Sequence, residues 1–577
     1  MSRSMGPRVA AASGLVVLLA VSAFLSACAQ IPTSGPVQQG EQIRASFDEQ
    51  VIRVLPRPPA QGLEPEQVVS GFLAATASFE DDHAVARQFL TSDAAARWDP
   101  ATGVVVYDDR PGLKIERTGR TVVVSAREVG HISGDGSQAP RSGSPIGFRF
   151  TVERVGGEWR ISRAPDGLLL TRFDVTQTYR SYSLHFLAPQ QDRLVPDPVF
   201  IPLGRAGAAT SLVRSLLDGP TRWLAPAVST AVPAGTELVV DSVPVENGVA
   251  LVDLSASVLE ASDLDRERLA AQLVWTLTEL PDVTGVQISV EGSPLELPDA
   301  PAVQSEETWE RFDPNGLPAS AAALLVRQGV VRRVDGDSAV PLAGPLGSGD
   351  FDARHPATSA DGSVVSALLD GGRTAVIEQR FLSAELTTVL EGNNLAPPSM
   401  DARGSLWLVD RAAGESTVWL LPKGGRLQGV VAPELGNRFV LSLRVALDGT
   451  RVAVVVRNRA GQGELLVGRV VRTGGRVTLQ AFRPLEDTLT EVRDVTWMSA
   501  SSVAALGRDQ GSVLQPFELG IDGGIDELGG TTLQGIRSVT AAPGFPLLAS
   551  TSTGGIWQST TVGWRVYLAG QDPAYPG

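Results

Sequence analysis

Leu447-Asp448-Gly449-Thr450-Arg451-Val452-Ala453-Val454-Val455-Val456 reads as a turn running into a strand, and it decides the fold of the C-terminal half. Aspartate bonds its own backbone and glycine takes positive φ freely, so Asp-Gly marks a turn. A short apolar strand, Arg451–Val456, follows it. Further turn signals stand at Asp335-Gly336, Asp361-Gly362, Asp401 with Gly404, Ser499–Ser502 and Pro543-Gly544. Short apolar strands are predicted after them at Val364–Leu369, Ser405–Val409, Val503–Leu506 and Leu547–Ser550. From Asp361 onward the signals recur about every 40 to 52 residues, the length of a four-stranded propeller blade. Residues 319–568 then form a β-propeller of five or six blades, within the usual range. A pair of β-sandwiches is the competing arrangement, and one period kept throughout favours the propeller. Residues 569–577 read as a C-terminal tail.

Two α+β units precede it. Residues 195–298 carry a helix ending Leu216-Leu217-Asp218-Gly219-Pro220, extended segments Glu237–Val243 and Val249–Leu254, a helix bearing Leu269, Leu273, Leu277 and Leu280, and a strand Val283–Val290. These pieces, with the Pro233–Thr236 turn, resemble the GerMN domain of envelope and spore-germination proteins, which implies a binding module. Residues 49–193 open with Glu64-Pro65-Glu66, where Pro in the first turn and carboxylates near the dipole start a helix. Val68, Val69, Phe72, Leu73, Thr76 and Phe79 supply its buried stripe. A second helix is predicted over Asp81–Leu90, then strands Val104–Tyr107, Thr121–Val129, Gly147–Val155 and Trp159–Arg163. Helices followed by antiparallel strands resemble the cystatin and nuclear-transport-factor folds. Residues 299–318 read as a linker.

The first residues carry an address. Arg3 and Arg8 precede an apolar run, Val9–Leu25, and then Leu25-Ser26-Ala27-Cys28. This is a lipoprotein signal peptide over residues 1–27, cleaved between Ala27 and Cys28. The Cys28 thiolate is the nucleophile that takes S-diacylglycerol, and its freed amine takes an N-acyl chain. Residues 28–48 are a flexible tether. The expected location is the cell membrane, lipid-anchored on the extracytoplasmic face.

Composition narrows the chemistry. The formal charge is −15, with no basic block to displace phosphate counterions, so nucleic acid is no partner. The two lysines, Lys114 and Lys423, both lack the context of a P-loop. Cys28 is the sole cysteine, which rules out an intramolecular disulfide and a Cys-rich metal site. His83, His131, His185 and His355 stand far apart, as surface or half-buried rings rather than ligands. No catalytic residue, cofactor site or metal site is predicted, and the chain is expected not to be an enzyme.

The domain order, the lipobox and the ending Gly563–Gly577 are similar to the actinobacterial LpqB lipoprotein family. That resemblance implies an accessory protein that contacts the extracytoplasmic domain of an MtrB-like sensor kinase and modulates MtrA–MtrB signalling, envelope homeostasis and division. The alternatives are an envelope glycan- or peptide-acting enzyme, or a glycan-binding lipoprotein, using the propeller channel.

Overall fold

The computed structural model describes residues 56–577 except 109–111, 204–206, 381–384, 413, 486–487, 510–512 and 529–532. The signal peptide, Ala27, Cys28 and the tether lie outside the described residues. The described residues belong to one compact unit of three modules.

In the N-terminal module, helix Pro65–Thr76 packs its predicted stripe into the core, with Phe72 edge-on to Trp98 at 5.2 Å and to Phe150 at 6.0 Å. Gln67 caps its start, accepting the Glu64 N–H at 2.9 Å. The helix lies against a six-stranded sheet built on the long hairpin Thr121–Ser133 and Gln138–Val155. The helix predicted over Asp81–Leu90 shrinks to Ala84–Arg87. Asp81, Asp82 and His83 take φ of 44°, 54° and 59°, a left-handed stretch that a helix cannot contain.

This module ends earlier than residue 193. Strand Tyr179–Leu187 pairs in register with Leu194–Pro202, and both feed the middle module's core, so a boundary at 193 cuts a hairpin. Parallel strands Val249–Leu254 and Gly285–Val290 lie at the centre of the middle module's sheet. Helices Ala208–Asp218 and Asp263–Leu277 share its core. The extended segment predicted over Glu237–Val243 forms no strand: it is bent backbone with one bridge from Leu238 to Leu254 and the Val239 N–H donating to the Asp253 carbonyl at 2.9 Å. The linker of 299–318 is likewise corrected. Val303–Gln304 pairs with Gly285–Val290, Trp309 and Phe312 are buried in the middle core, and the Trp309 indole donates to Gln304 at 2.9 Å. Two aromatic rings bury too much apolar surface to stay in a free connector.

The C-terminal module has six four-stranded sheets among the described residues. The predicted turns at Asp361, Asp401, Asp448, Ser499 and Pro543 each join the first two strands of a sheet. Polar bonds tie each sheet to the next. Lys423 meets Asp361 at 3.2 Å, Ser399 Oγ accepts the Val445 N–H at 3.0 Å, Ser442 donates to Asp494 at 2.9 Å, and Asp494 accepts the Val539 N–H at 3.2 Å. The ring closes through the last residues: the Tyr575 N–H donates to Thr540 at 3.0 Å, and the His355 N–H to Asp572 at 3.1 Å. Residues 569–577 are therefore no tail. Gln571–Ala574 is the innermost strand of the first sheet, antiparallel to Leu324–Arg327. Without it that sheet would present an unpaired inner edge.

Candidate functional site

The innermost strands enclose a cavity of about 170 Å³ lined by His355, Arg444, Asp494, Thr496 and Asp572, among others. Its polar groups brace one sheet against another. The Arg444 guanidinium donates to the carbonyls of Pro397 and Pro398 at 3.2 and 2.7 Å, while its own carbonyl accepts the Trp497 indole at 3.0 Å. Burial holds its pKa below the usual arginine range, opposed by the nearby Asp494. Both Asp494 oxygens are engaged, by Ser442 and by the Val539 N–H. Asp572 faces His355 Nδ1 at 3.4 Å, and burial lowers the His355 pKa against the pull of that carboxylate. Asp494 and Asp572 of the channel are thus committed to donors on neighbouring sheets.

The strongly perturbed acids lie elsewhere. Burial pushes Asp197 up to about 6, although Thr221 donates to it through both N–H and Oγ, at 2.7 and 2.9 Å. Burial also raises Glu279 to about 7, helped by the like charges of Glu306 and Asp522. Both belong to the middle module. Two histidines read as surface or half-buried rings are buried, His185 in the middle module and His83 in the N-terminal module, each 3 % exposed. Burial, with Arg451 nearby, takes His185 down to about 3, so it stays neutral at physiological pH. His83 packs among Phe79 and Trp98. His131 and His355 remain half-buried. Among the described residues no three His, Cys, Asp or Glu side chains cluster as metal ligands, and no helix is long and apolar enough to cross a membrane.

What the arrangement achieves is a three-way junction. Asp135 of the N-terminal module accepts the Arg222 N–H at 3.0 Å; burial raises its pKa, but the bonds from Ser137 and Arg222 outweigh this and hold it low. Trp223, next in sequence, donates its indole N–H to Ala481 of the propeller at 2.9 Å and lies under the Arg483 guanidinium at 4.2 Å. Arg483 in turn donates to the Gln138 carbonyl at 2.8 Å, returning to the N-terminal module. Arg469 donates to the Trp223 carbonyl, and Arg193 to the carbonyls of Asp313, Pro314 and Gly316. Nothing local in the sequence marks Trp223, Arg469 or Arg483, because their partners stand hundreds of residues away.

Fold and junction define a three-module protein with an N-terminal α+β unit, a GerMN-like domain and a propeller. Residues 58–176 match the family described as "Lipoprotein LpqB, N-terminal domain", 183–296 the family "Sporulation and spore germination", and 329–576 the "Lipoprotein LpqB beta-propeller domain". The chain is 34 % identical to Lipoprotein LpqB of Thermobifida fusca, over 99 % of both chains. It is 32 % identical to that of Cutibacterium acnes, over 91 % of this chain and 92 % of the other. The chain belongs to the LpqB lipoprotein family. Among solved structures it is similar to TolB from Acinetobacter baumannii, at 16 % identity and a TM-score of 0.35, over 45 % of this chain and 69 % of that one. It is also similar to the tandem GerMN domains of GerM from Bacillus subtilis, at 15 % identity and a TM-score of 0.19, over 28 % and 63 %.

Proposed function

We propose that this lipoprotein is anchored by lipid on Cys28 at the extracytoplasmic face of the cell membrane. There it serves as a non-enzymatic accessory protein of an MtrB-like sensor histidine kinase. The observation that supports this reading is the junction at Trp223, which braces three modules into one body. A braced body can present a fixed surface to a membrane neighbour, and a ligand felt by one module can reach another. Modulation of the kinase requires unequal binding to its two signalling states. It would act on envelope homeostasis and division through MtrA–MtrB-type signalling.

The test is calorimetric titration of residues 29–577 against the extracytoplasmic domain of the cognate kinase. Saturable binding that survives moderate salt is expected. No heat of binding up to about 100 µM, a limit near −5.5 kcal/mol, would overturn a direct contact between the two soluble parts.

A further inference from the structure

We propose that the cleft between the N-terminal and middle modules binds an uncharged oligosaccharide. The cleft has a volume of about 850 Å³. That is toward the upper end of the roughly 300–1,000 Å³ typical of ligand pockets, and it lies at a domain boundary, where such pockets concentrate. On one side stand the hairpin end Ile132–Gly136 and Phe79; on the other, Phe200 and the open face of helix Ala208–Asp218.

Three observations select the ligand. Aromatic rings line both sides, Phe79 on one and Phe200 on the other, and the buried Tyr179 braces Phe79 edge-on at 5.4 Å. Sugar rings offer an apolar C–H face to such rings. The helix wall is polar, with Ser215, Arg214 and Asp218. The charges of the cleft balance and are partly spoken for. Arg214 pairs with Asp241, and Asp135 accepts from Ser137 and the Arg222 N–H. Two carboxylates, Asp135 and Asp218, and two guanidinium groups, Arg214 and Arg222, line the cleft, so it carries no net charge to draw a charged ligand and suits hydroxyls and amides better.

An extended peptide fits less well. Peptides in grooves draw affinity from a free strand edge, and main-chain donors at this edge are taken. The Phe200 N–H donates to the Gly136 carbonyl at 2.9 Å, and the Leu203 N–H to Thr178 at 2.7 Å. The cleft is also preformed. Gly136, at φ +78°, approaches so closely that an added Cβ would stand 3.1 Å from Val199 Cβ, which fixes the hairpin end against the middle module.

The inference goes beyond the kinase reading and is tested apart from it, with no kinase present. Residues 29–577 are titrated with tri-N-acetylchitotriose, which carries apolar ring faces, hydroxyls and amides, and followed by calorimetry and by chemical-shift changes. Saturable binding at millimolar concentration or tighter is expected. Phe200→Ala should weaken it at least tenfold, and Ser215→Trp, which fills the cleft from a half-buried position on the cleft face of the helix, should abolish it while the far-ultraviolet circular dichroism stays native. If Phe200→Ala fails to fold, Ser215→Trp decides alone. No binding up to about 10 mM would overturn the proposal, as would binding untouched by Ser215→Trp. Binding of the tetrapeptide Ala-Glu-Lys-Ala in place of the sugar would also overturn it.

Discussion

The Arg451 guanidinium is wholly buried and donates to the main-chain carbonyl of Pro196, 255 residues earlier, at 3.3 Å. Its other edge is held by Asp448, with Nε at 3.2 Å, and its plane stands 5.2 Å from the Trp497 ring. The turn that sets the blade period therefore also docks the middle module onto the propeller. It faces His185 there and helps to keep that ring neutral.

Replacing Arg451 by Met should cost about 3–5 kcal/mol, because Asp448 would be left as a buried charge with only Thr450 to satisfy it. The double variant Arg451→Met with Asp448→Asn should recover part of that loss, since the uncompensated charge goes too. Urea midpoints of the three proteins check it. Equal losses in the single and double variants would show that the pair contributes through packing alone.

Trp223→Ala removes the indole bond to Ala481 and the ring beneath Arg483. A loss of about 2 kcal/mol is expected, and calorimetry should show one endotherm splitting into two as the propeller uncouples from the other modules. A single, merely shifted endotherm would mean that Arg451 and the Arg469 bond to the carbonyl of residue 223 suffice to hold the junction.

The sequence carried the periodic parts of this fold and missed the closures. Val68, Phe72 and Leu73 declare a helix face because their spacing is local, and Asp361, Asp401 and Asp448 declare blades because their turns repeat. Asp335-Gly336 stands out of phase. It turns between the second and third strands that residues 324–341 contribute to the first sheet, rather than leaving an innermost strand. The innermost strand arrives from Gln571–Ala574, whose Pro and Asp look like tail residues until Leu324–Arg327 is set beside them. That is why the repeat alone left five blades or six. Trp309 and Phe312 were hidden in the same way, by polar neighbours that read as a linker. The pairings of Trp223 and Arg451 are long-range and leave no local signal.

Deleting residues 571–577 should abolish the folded propeller, since the first sheet loses its inner strand and both neighbours lose their ties through Asp572 and Tyr575. Asp572→Ala alone removes the acceptor of the His355 N–H and should cost about 1–3 kcal/mol. Near-ultraviolet circular dichroism and the thermal midpoint distinguish the two outcomes. A truncated chain with native near-ultraviolet signal would show that the ring closes without this strand.

A chain beginning at residue 29, made without the signal peptide and Cys28, should keep the unfolding midpoint of the lipidated protein but partition into the aqueous phase where that protein enters detergent. Two or three acyl chains on Cys28, at about 0.8 kcal/mol per buried CH₂, would give the stable anchoring that a single chain would not. Full retention of the shortened chain in the detergent phase would place the anchor elsewhere.

The pH dependence of stability sets two buried groups of the middle module against each other. His185 titrates near 3 in the folded chain and near its ordinary value of 6.5 when unfolded, so its burial stabilises above about pH 6.5 and that contribution is lost as pH falls. Asp197 titrates near 6 when folded and near 3.8 when unfolded, so the folded state holds the extra proton. Its contribution is fully present below about pH 4 and is lost as pH rises through 6. Between pH 4 and 6 the two slopes oppose, each by up to about 1.4 kcal/mol per pH unit. His185→Gln should therefore tilt the stability curve downward with rising pH relative to the parent, and Asp197→Asn should tilt it upward. Urea midpoints at half-unit steps from pH 4 to 6 read both slopes, with Glu279→Gln as a common background because Glu279 stands 4.0 Å from His185 Nε2 and titrates near 7. Parallel curves for all three proteins would mean that His185 and Asp197 are hydrated through routes that leave their pKa values ordinary.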